Sequence, residues 1–194
     1  MGDLCEAICK SGYAVWSLEY RRVGQPGGGY PGTLEDIRSG AKHITKIPGI
    51  DLTRVAVAGH SAGGHLALWL AAQNALELRG VAALAAVTDL RRAHALRLGA
   101  GAVEAFIGCA PTECADRYSA ASPADLLPIK VPQRLLHGAA DDIVPIELSE
   151  SFAKASANAQ LTAFPGAGHF ELINPRSKEW PQVLCQITAL LTPR

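Results

Sequence analysis

A serine between glycines is the clearest sign of chemistry in this sequence. Ser61 lies in GHSAGG (59–64), which matches G-x-S-x-G and follows the apolar run 54–58. In this motif a sharp turn from strand to helix exposes the serine hydroxyl, while the glycines let the backbone pack closely. The N–H of the next residue, Ala62, is then free to stabilise an oxyanion. The motif therefore predicts Ser61 as a nucleophile and Ala62 as an oxyanion donor.

A serine nucleophile needs a general base. The candidates are His43, His60, His65, His94, His137 and His169. The chain order in this motif class is serine, acid, histidine, which favours His169. This residue lies in the glycine-rich loop 164–170, after a predicted strand, where an open α/β sheet places its chemistry. His60 adjoins the serine and should point away from it, and His137 precedes the acid. We expect His169 to be the base, with a non-catalytic role as the alternative.

Two adjacent carboxylates, Asp141 and Asp142, follow the apolar segment that ends in His137. The spacing H-G-x-x-D-x-x-V-P favours Asp141 as the acid that holds the imidazole tautomer and stabilises the imidazolium. Asp142 has another explanation, because a carboxylate suits the positive end of the helix that follows. Asp89, which follows the predicted strand 81–87, is a third candidate.

These motifs, in this order, resemble those of the α/β-hydrolase superfamily. Within it they are most similar to the esterase/lipase group that includes kynurenine-formamidase-like and BD-FAE-like proteins. The resemblance covers nearly the whole chain. It rests on EYRR (19–22), YPGTLED (30–36), GHSAGGHLA (59–67), the segment 137–145 and GHF (168–170).

The resemblance implies an α/β-hydrolase fold and a triad of Ser61, Asp141 and His169, with Ala62 as one oxyanion donor. The implied activity is hydrolysis of a small carboxylic ester or an activated amide, such as an N-formyl aryl amine in an arylformamidase. No cofactor and no metal site are expected. Two alternatives remain open: a prolyl-oligopeptidase-like peptidase, which shares the elbow, and a non-catalytic binding module of the same fold.

One departure from the family pattern concerns the amino-terminal part. Family members carry a strand that ends in His-Gly-Gly and supplies a second oxyanion donor. This sequence has no such motif and opens in the predicted helix 3–10, so we expect an amino-terminally truncated fold without the first strands. A longer natural protein, a weakly active fragment and a non-catalytic remnant are the explanations. The loop 24–29 could lend a backbone N–H, or it is a flexible connection.

Length and composition favour a single α/β-hydrolase domain over residues 1–194. Hydrophobic residues make up 48% and charged residues 19% of the chain, which is typical of a globular protein. The 18 basic and 18 acidic residues balance, so nothing favours nucleic-acid binding. No apolar run is long enough to span a membrane, and no secretion signal is visible. The five cysteines are interpreted as free thiols in a cytoplasmic protein. The oligomeric state stays open.

Predicted strands and helices alternate along the chain. The strands are 13–19, 54–58, 81–87, 134–136 and 160–164, and the helices are 3–10, one from 33, 62–75, 147–157 and one from 181. This alternation indicates a mainly parallel sheet with helices on both faces. Thr33 and Asp36 are expected to form a capping box at the second helix. Arg21 and Arg22 are expected to pair with neighbouring acidic residues, with binding of an anionic substrate as the alternative.

A long excursion, 88–128, leaves the predicted sheet beside the elbow. We expect it to cover the site in the manner of a lid. Within it, Val103, Phe106 and Ile107 would lie together on one helix. They would line an acyl or aryl pocket, or else belong to a helix that only packs against the core.

Overall fold

The computed structural model describes residues 2–192. Helices and strands alternate in it. The strands are β1 (Ala56–His60), β2 (Gly80–Leu84), β3 (Gln133–Gly138) and β4 (Ala159–Phe164). The helices are α1 (Gly2–Lys10), α2 (Gly32–His43), α3 (Ala62–Ala72), α4 (Leu90–Ala95), α5 (Ala102–Ile107), α6 (Ala115–Ala121), α7 (Glu147–Ala155) and α8 (Trp180–Ala189). The predicted elements are confirmed, with shifted ends, except for the strand 13–19.

The four strands form one parallel sheet in the order β1-β2-β3-β4. Parallel neighbours cannot be joined by a hairpin, so each connection crosses the sheet and carries helices. Their carboxyl ends meet at one edge of the sheet. His60 and Gly138, the last residues of β1 and β3, both lie at that edge.

Both faces of the sheet are covered, because side chains alternate along each strand. Ala82 and Leu84 of β2 belong to a buried cluster with α1 and α8. Val81 and Ala83 belong to a cluster with α3 and α7 on the other face. The predicted α/β fold, a mainly parallel sheet with helices on both faces, is confirmed.

A third cluster joins the excursion 88–128 to α2 and α3. Its members include Trp69 of α3, Ile107 of α5 and Tyr118 of α6, and the last two are fully buried. The indole Nε1 of Trp69 also donates a hydrogen bond to the Ala120 carbonyl, 3.0 Å away. The excursion is therefore packed firmly onto α3, the helix that follows Ser61.

The predicted strand 13–19 is wrong. Its backbone forms no ladder, and residues 13–19 make no backbone–backbone hydrogen bond to any described residue. Its side chains still alternate: Val15 packs with the α1 and α8 cluster, and Leu18 packs with the α2 cluster. Residue types that favour a strand are therefore not sufficient, because a strand also needs a hydrogen-bonded neighbour, which the local sequence does not reveal.

The predicted capping box is also wrong. The Thr33 hydroxyl donates to the Arg21 carbonyl at 2.6 Å and accepts the N–H of Gly29 at 2.9 Å. Asp36 instead accepts two hydrogen bonds from the Arg21 guanidinium, which holds the pKa of that carboxyl down at about 2. The expected pairing of Arg21 is thus confirmed, and so is that of Arg22, which pairs with Glu19 at 2.8 Å.

Two of the cysteines are not free thiols. Cys109 and Cys114 form a disulfide across the turn between α5 and α6, with Cα atoms 6.0 Å apart. The prediction of free thiols is wrong for this pair, since sequence alone did not show that the turn brings them together. It holds for Cys5, Cys9 and Cys185. No helix within residues 2–192 has the length and apolar character needed to cross a bilayer.

The contact between α3 and the chain just after β2 leads to a first prediction. A Cβ added to Gly64 would lie 2.7 Å from Cβ of Ala86, whereas one added to Gly63 would meet no atom within 4 Å. Gly64→Ala should therefore destabilise the protein by about 1–3 kcal/mol through overpacking. Gly63→Ala, the matched control, should be neutral or stabilising by up to about 1 kcal/mol. Urea denaturation measures both, and equal stabilities would contradict this close packing.

His65 is a buried polar link between α3 and α6. Its ring is 5% exposed, and Nε2–H donates to the Ala121 carbonyl at 2.8 Å. Burial lowers the pKa of His65 to about 4, against the opposing effect of that hydrogen bond. The folded state therefore keeps this ring neutral in a pH range where the unfolded chain is protonated.

Acid should therefore destabilise the protein between about pH 6.5 and about pH 4. In this range the unfolded state binds a proton that the folded His65 does not, so stability is lost as the pH falls. His65→Gln keeps an N–H donor but cannot titrate. The loss of unfolding free energy between pH 7 and pH 5 should be smaller in the variant by about 2 kcal/mol. Urea unfolding at the two pH values tests this, and equal losses would mean that His65 is not neutral in the fold.

Candidate active site

Ser61 occupies a strained turn between β1 and α3. Its φ of 56° and ψ of −121° are unfavourable for a residue with a side chain. Two hydrogen bonds hold it there: its N–H donates to the Leu84 carbonyl at 2.8 Å, and its carbonyl accepts the N–H of His65 at 3.1 Å. The turn therefore has the geometry of the predicted nucleophile elbow.

The glycines of the motif differ in what they do. A Cβ on Gly59 would collide with the Gly63 carbonyl, and a Cβ on Gly64 would collide with Ala86. Gly63 has open space around its Cα instead. The first and last glycines of GHSAGG therefore permit close packing, whereas Gly63 is not needed for space.

The start of α3 supplies donors for a developing negative charge. Ala62 is the first residue of this helix, and the first N–H groups of a helix have no intrahelical acceptor. The helix dipole adds a partial positive charge at the same point. Ala62 is therefore placed at the positive end of α3, and its role as an oxyanion donor stays a prediction.

Asp141 and His169 are brought together by the loops after β3 and β4. Nδ1–H of His169 donates to Oδ2 of Asp141 at 2.7 Å. Oδ1 of the same carboxylate accepts the N–H groups of Ile143 and Val144, each at 2.9 Å. Burial pushes the pKa of Asp141 upward, but these N–H donors and the imidazole outweigh it and hold the pKa below its ordinary value. The carboxylate therefore stays ionised although its side chain is fully buried.

The other two acid candidates do not contact His169. Asp142 is exposed. Asp89 caps α4, where its carboxylate accepts the N–H of Arg92 at 2.9 Å. Of the three carboxylates considered from the sequence, Asp141 alone bonds to the His169 ring.

His60 joins the elbow to the His169 loop. Its Nε2–H donates to the backbone carbonyl of His169 at 2.8 Å, and the two ring centroids are 4.4 Å apart. Since His60 directly precedes Ser61, this bond anchors the loop of His169 beside the serine. Burial lowers the pKa of His60, which favours the neutral ring. This role of His60 was not predicted from the sequence, because the bond joins residues 109 positions apart.

The two atoms that are predicted to react have no hydrogen-bond partner among the described residues. Neither the Ser61 hydroxyl nor Nε2 of His169 has a hydrogen-bond partner within residues 2–192. With its proton on Nδ1, a neutral His169 ring presents a lone pair at Nε2. Such contacts in unliganded sites commonly shorten only when substrate binds. The bond to Asp141 thus orients the ring with Nε2 free, as the predicted role of general base requires.

His137 is a second residue whose role was not predicted from the sequence. Its Nδ1 accepts the Ser149 hydroxyl at 2.7 Å, and Nε2–H donates to the Val144 carbonyl at 2.8 Å. The same Nε2 lies 3.4 Å from Oδ2 of Asp141. Burial lowers the pKa of His137, so the ring is neutral. His137 therefore holds the loop that carries Asp141 through its bond to Val144. This contact explains why a histidine occupies the first position of the H-G-x-x-D motif.

Gly138 allows the two loops to meet. A Cβ at this position would collide with the carbonyl oxygens of Ala167 and Gly168. The N–H of Ala140 also donates to the Ala167 carbonyl at 2.9 Å. Any side chain at position 138 would push the His169 loop away from the Asp141 loop.

The predicted substrate contacts lie in α5. Val103 and Ile107 are buried in the cluster with α2 and α3, and Phe106 is half-buried with its ring edge against His65, 5.6 Å between centroids. Packing accounts for Val103 and Ile107. A role of any of the three in substrate binding stays a prediction.

Two glycine N–H groups of the loop 24–29 already have hydrogen-bond acceptors. The N–H groups of Gly28 and Gly29 donate to the Gln25 carbonyl and the Thr33 hydroxyl. These two donors are therefore occupied and are poor candidates for a second oxyanion contact. Within residues 2–192, no group of three metal-ligating side chains is close enough to hold an ion.

Comparisons with known proteins agree on the architecture. A family model described as BD-FAE matches residues 1–155. No curated protein matches the sequence at a significant level. Similar solved structures include an esterase from Pyrobaculum calidifontis, with 23% identity and a TM-score of 0.74 over 98% of this chain and 69% of that one. Esterase B from Lactobacillus rhamnosis has 19% identity and a TM-score of 0.78 over 97% of this chain and 69% of that one.

A puromycin hydrolase is 25% identical with a TM-score of 0.65 over 82% of this chain. Our chain spans only 24% of the length of that protein. The likeness to the two esterases shows a shared fold, and the family model covers most of the sequence. The chain therefore belongs to the BD-FAE family and has the α/β-hydrolase fold.

Proposed function

We propose that the protein is a serine hydrolase that cleaves small carboxylic esters, or activated amides such as N-formyl aryl amines, through an acyl-enzyme. The hydrogen bond between Asp141 and His169, tied by His60 to the strained Ser61 turn, is the observation that carries the proposal. Similar structures that are named as esterases support the ester substrate.

In the proposed mechanism, Ser61 attacks the acyl carbon while Nε2 of His169 takes the hydroxyl proton. The tetrahedral oxyanion lies against the N–H of Ala62 at the start of α3. His169 then gives the proton to the leaving group as the bond to the acyl carbon breaks. Water repeats the cycle on the acyl-enzyme and releases the acid.

Asp141 keeps its negative charge throughout this cycle. Its lowered pKa means that it holds the proton of His169 in a hydrogen bond rather than accepting it. The imidazolium that forms after the first proton transfer is stabilised by the adjacent charge, which is buried and therefore weakly screened.

We propose further that the excursion 88–128 covers the substrate. It packs on α3 next to the elbow, and the carbonyl of Phe106 accepts the N–H of Tyr30 at 2.7 Å. Phe106 is the one predicted contact in α5 that is half-exposed, so it is the best candidate for touching an acyl group.

A second candidate function is amide or peptide hydrolysis by the same residues. The likeness to puromycin hydrolase favours it, although our chain corresponds to a small part of that protein. A binding module without catalytic activity is the third candidate. Catalysis requires the Ser61 hydroxyl to reach Nε2 of His169, and the two groups are not hydrogen-bonded to each other here.

A serine-directed fluorophosphonate probe separates these candidates. The purified protein should become labelled, and Ser61→Ala should abolish labelling. Asp141→Asn should slow hydrolysis of 4-nitrophenyl acetate on the order of 10³–10⁴-fold, because the imidazole loses the carboxylate that orients it. Asp142→Asn, at the neighbouring carboxylate, is the matched control. This variant should be labelled by the probe and should hydrolyse 4-nitrophenyl acetate at the rate of the unmodified protein.

A folded but unlabelled protein would favour the binding module. Labelling that persists in Ser61→Ala would show that a residue other than Ser61 reacts with the probe. Labelling with cleavage of peptide amides, but not of esters, would favour the peptidase.

His137 should influence the rate through Asp141. His137→Leu removes the N–H that holds the Val144 carbonyl and approaches the carboxylate, and a small displacement of a catalytic group costs about 10²-fold. We expect the loss in kcat, with KM little changed. His137→Gln retains an N–H donor and should recover part of the rate. A rise in KM at constant kcat, or equal losses in both variants, would contradict a positioning role.

A further inference from the structure

Phe170 is the most exposed of the large apolar side chains in the described part of the chain, at 59%. Exposed apolar residues are common, so exposure alone indicates nothing. This ring, however, stands edge-on to His169 with 5.0 Å between centroids, and its centroid lies 5.9 Å from that of His60. An exposed aromatic face therefore directly adjoins the proposed general base.

An open, shallow cavity of about 380 Å³ lies beside the same ring. Apolar side chains of Leu4, Phe170, Ile173 and Pro175 form part of its lining. The side chains of Asp3 and Asn174 add a carboxylate and an amide. This volume is enough for a small molecule, which could make apolar contacts and polar contacts in the same place.

The proposed chemistry decides which part of an ester this cavity receives. His169 must protonate the leaving oxygen, so the alcohol part of the substrate has to lie against the imidazole. The acyl oxygen must lie at the start of α3, next to Ala62. Phe170 and the cavity are on the imidazole side, because Phe170 follows His169 in the chain and contacts its ring.

We infer that Phe170 and the cavity between α1 and the segment 170–175 form the subsite for the alcohol part of the substrate, which selects esters of aryl and other bulky apolar alcohols. An aromatic alcohol would stack on the exposed ring and remove apolar surface from water. This inference rests on the proposed function for its catalytic consequence, but binding of the alcohol itself does not require turnover.

Acetate esters that differ only in the alcohol test the inference. All of them form the same acetyl-enzyme, so a leaving-group subsite acts on acylation and is seen in kcat/KM. Phe170→Ala should lower kcat/KM for 2-naphthyl acetate about tenfold and leave ethyl acetate within about twofold. The side chain is mostly exposed, so the variant should fold normally.

Leu52→Ala is the control, because Leu52 is also an exposed apolar residue, at 39%. Leu52→Ala should leave kcat/KM unchanged for both 2-naphthyl acetate and ethyl acetate. An acyl series with one alcohol, from 4-nitrophenyl acetate to the octanoate, completes the kinetic test. Phe170→Ala should slow all its members by the same factor, and a loss that grows with acyl length would overturn the inference in favour of an acyl pocket.

Binding of 2-naphthol to Ser61→Ala protein separates this inference from the proposed function. Naphthol fluorescence should report saturable binding that Phe170→Ala weakens about tenfold and Leu52→Ala does not change. If no ester is cleaved but 2-naphthol binds through Phe170, the subsite stands and the proposed activity falls. If 2-naphthol binds equally well without Phe170, or not at all, the subsite is overturned whatever the activity.

Discussion

The buried charge of Asp141 is the constraint on which the rest of the site depends. A carboxylate without exposure is costly unless each oxygen is hydrogen-bonded. Here the N–H groups of Ile143 and Val144 bond to one oxygen, and the His169 ring bonds to the other. Because the bonds fix both the loop and the imidazole, the same donors that make the charge tolerable also orient the imidazole as the proposed mechanism requires.

The need to hold Asp141 in place explains which residues surround its loop after β3. His137 donates to the Val144 carbonyl, so it fixes the peptide whose N–H serves Asp141. Gly138 lets the loop of His169 come close enough for the hydrogen bond to form. Neither residue reacts in the proposed mechanism. Both are nevertheless needed, because an unpaired buried carboxylate would take up a proton and lose its effect on the imidazole.

Local patterns predicted much of the fold and of the candidate site, and pairing across the chain accounts for what they missed. The elbow and the acid-loop spacing are local, so the sequence pointed to Ser61, Asp141 and His169. The bond from His60 to the His169 carbonyl joins residues 109 positions apart, and no local pattern shows it. The same limit applies to the segment 13–19, whose side chains alternate correctly although its backbone has no strand partner.

The strain at Ser61 persists because its neighbours leave it no alternative. A positive φ at a residue with a side chain costs on the order of 1–3 kcal/mol, which the turn alone would release by rotating. Rotation is blocked on both sides, since the Ser61 N–H is bonded to β2 and the helix after it is buried from Gly64 to Ala71. Apolar burial of that helix, at about 25 cal/mol per Å², outweighs the strain many times over. The strained turn that carries the Ser61 hydroxyl is therefore maintained by the core beneath it.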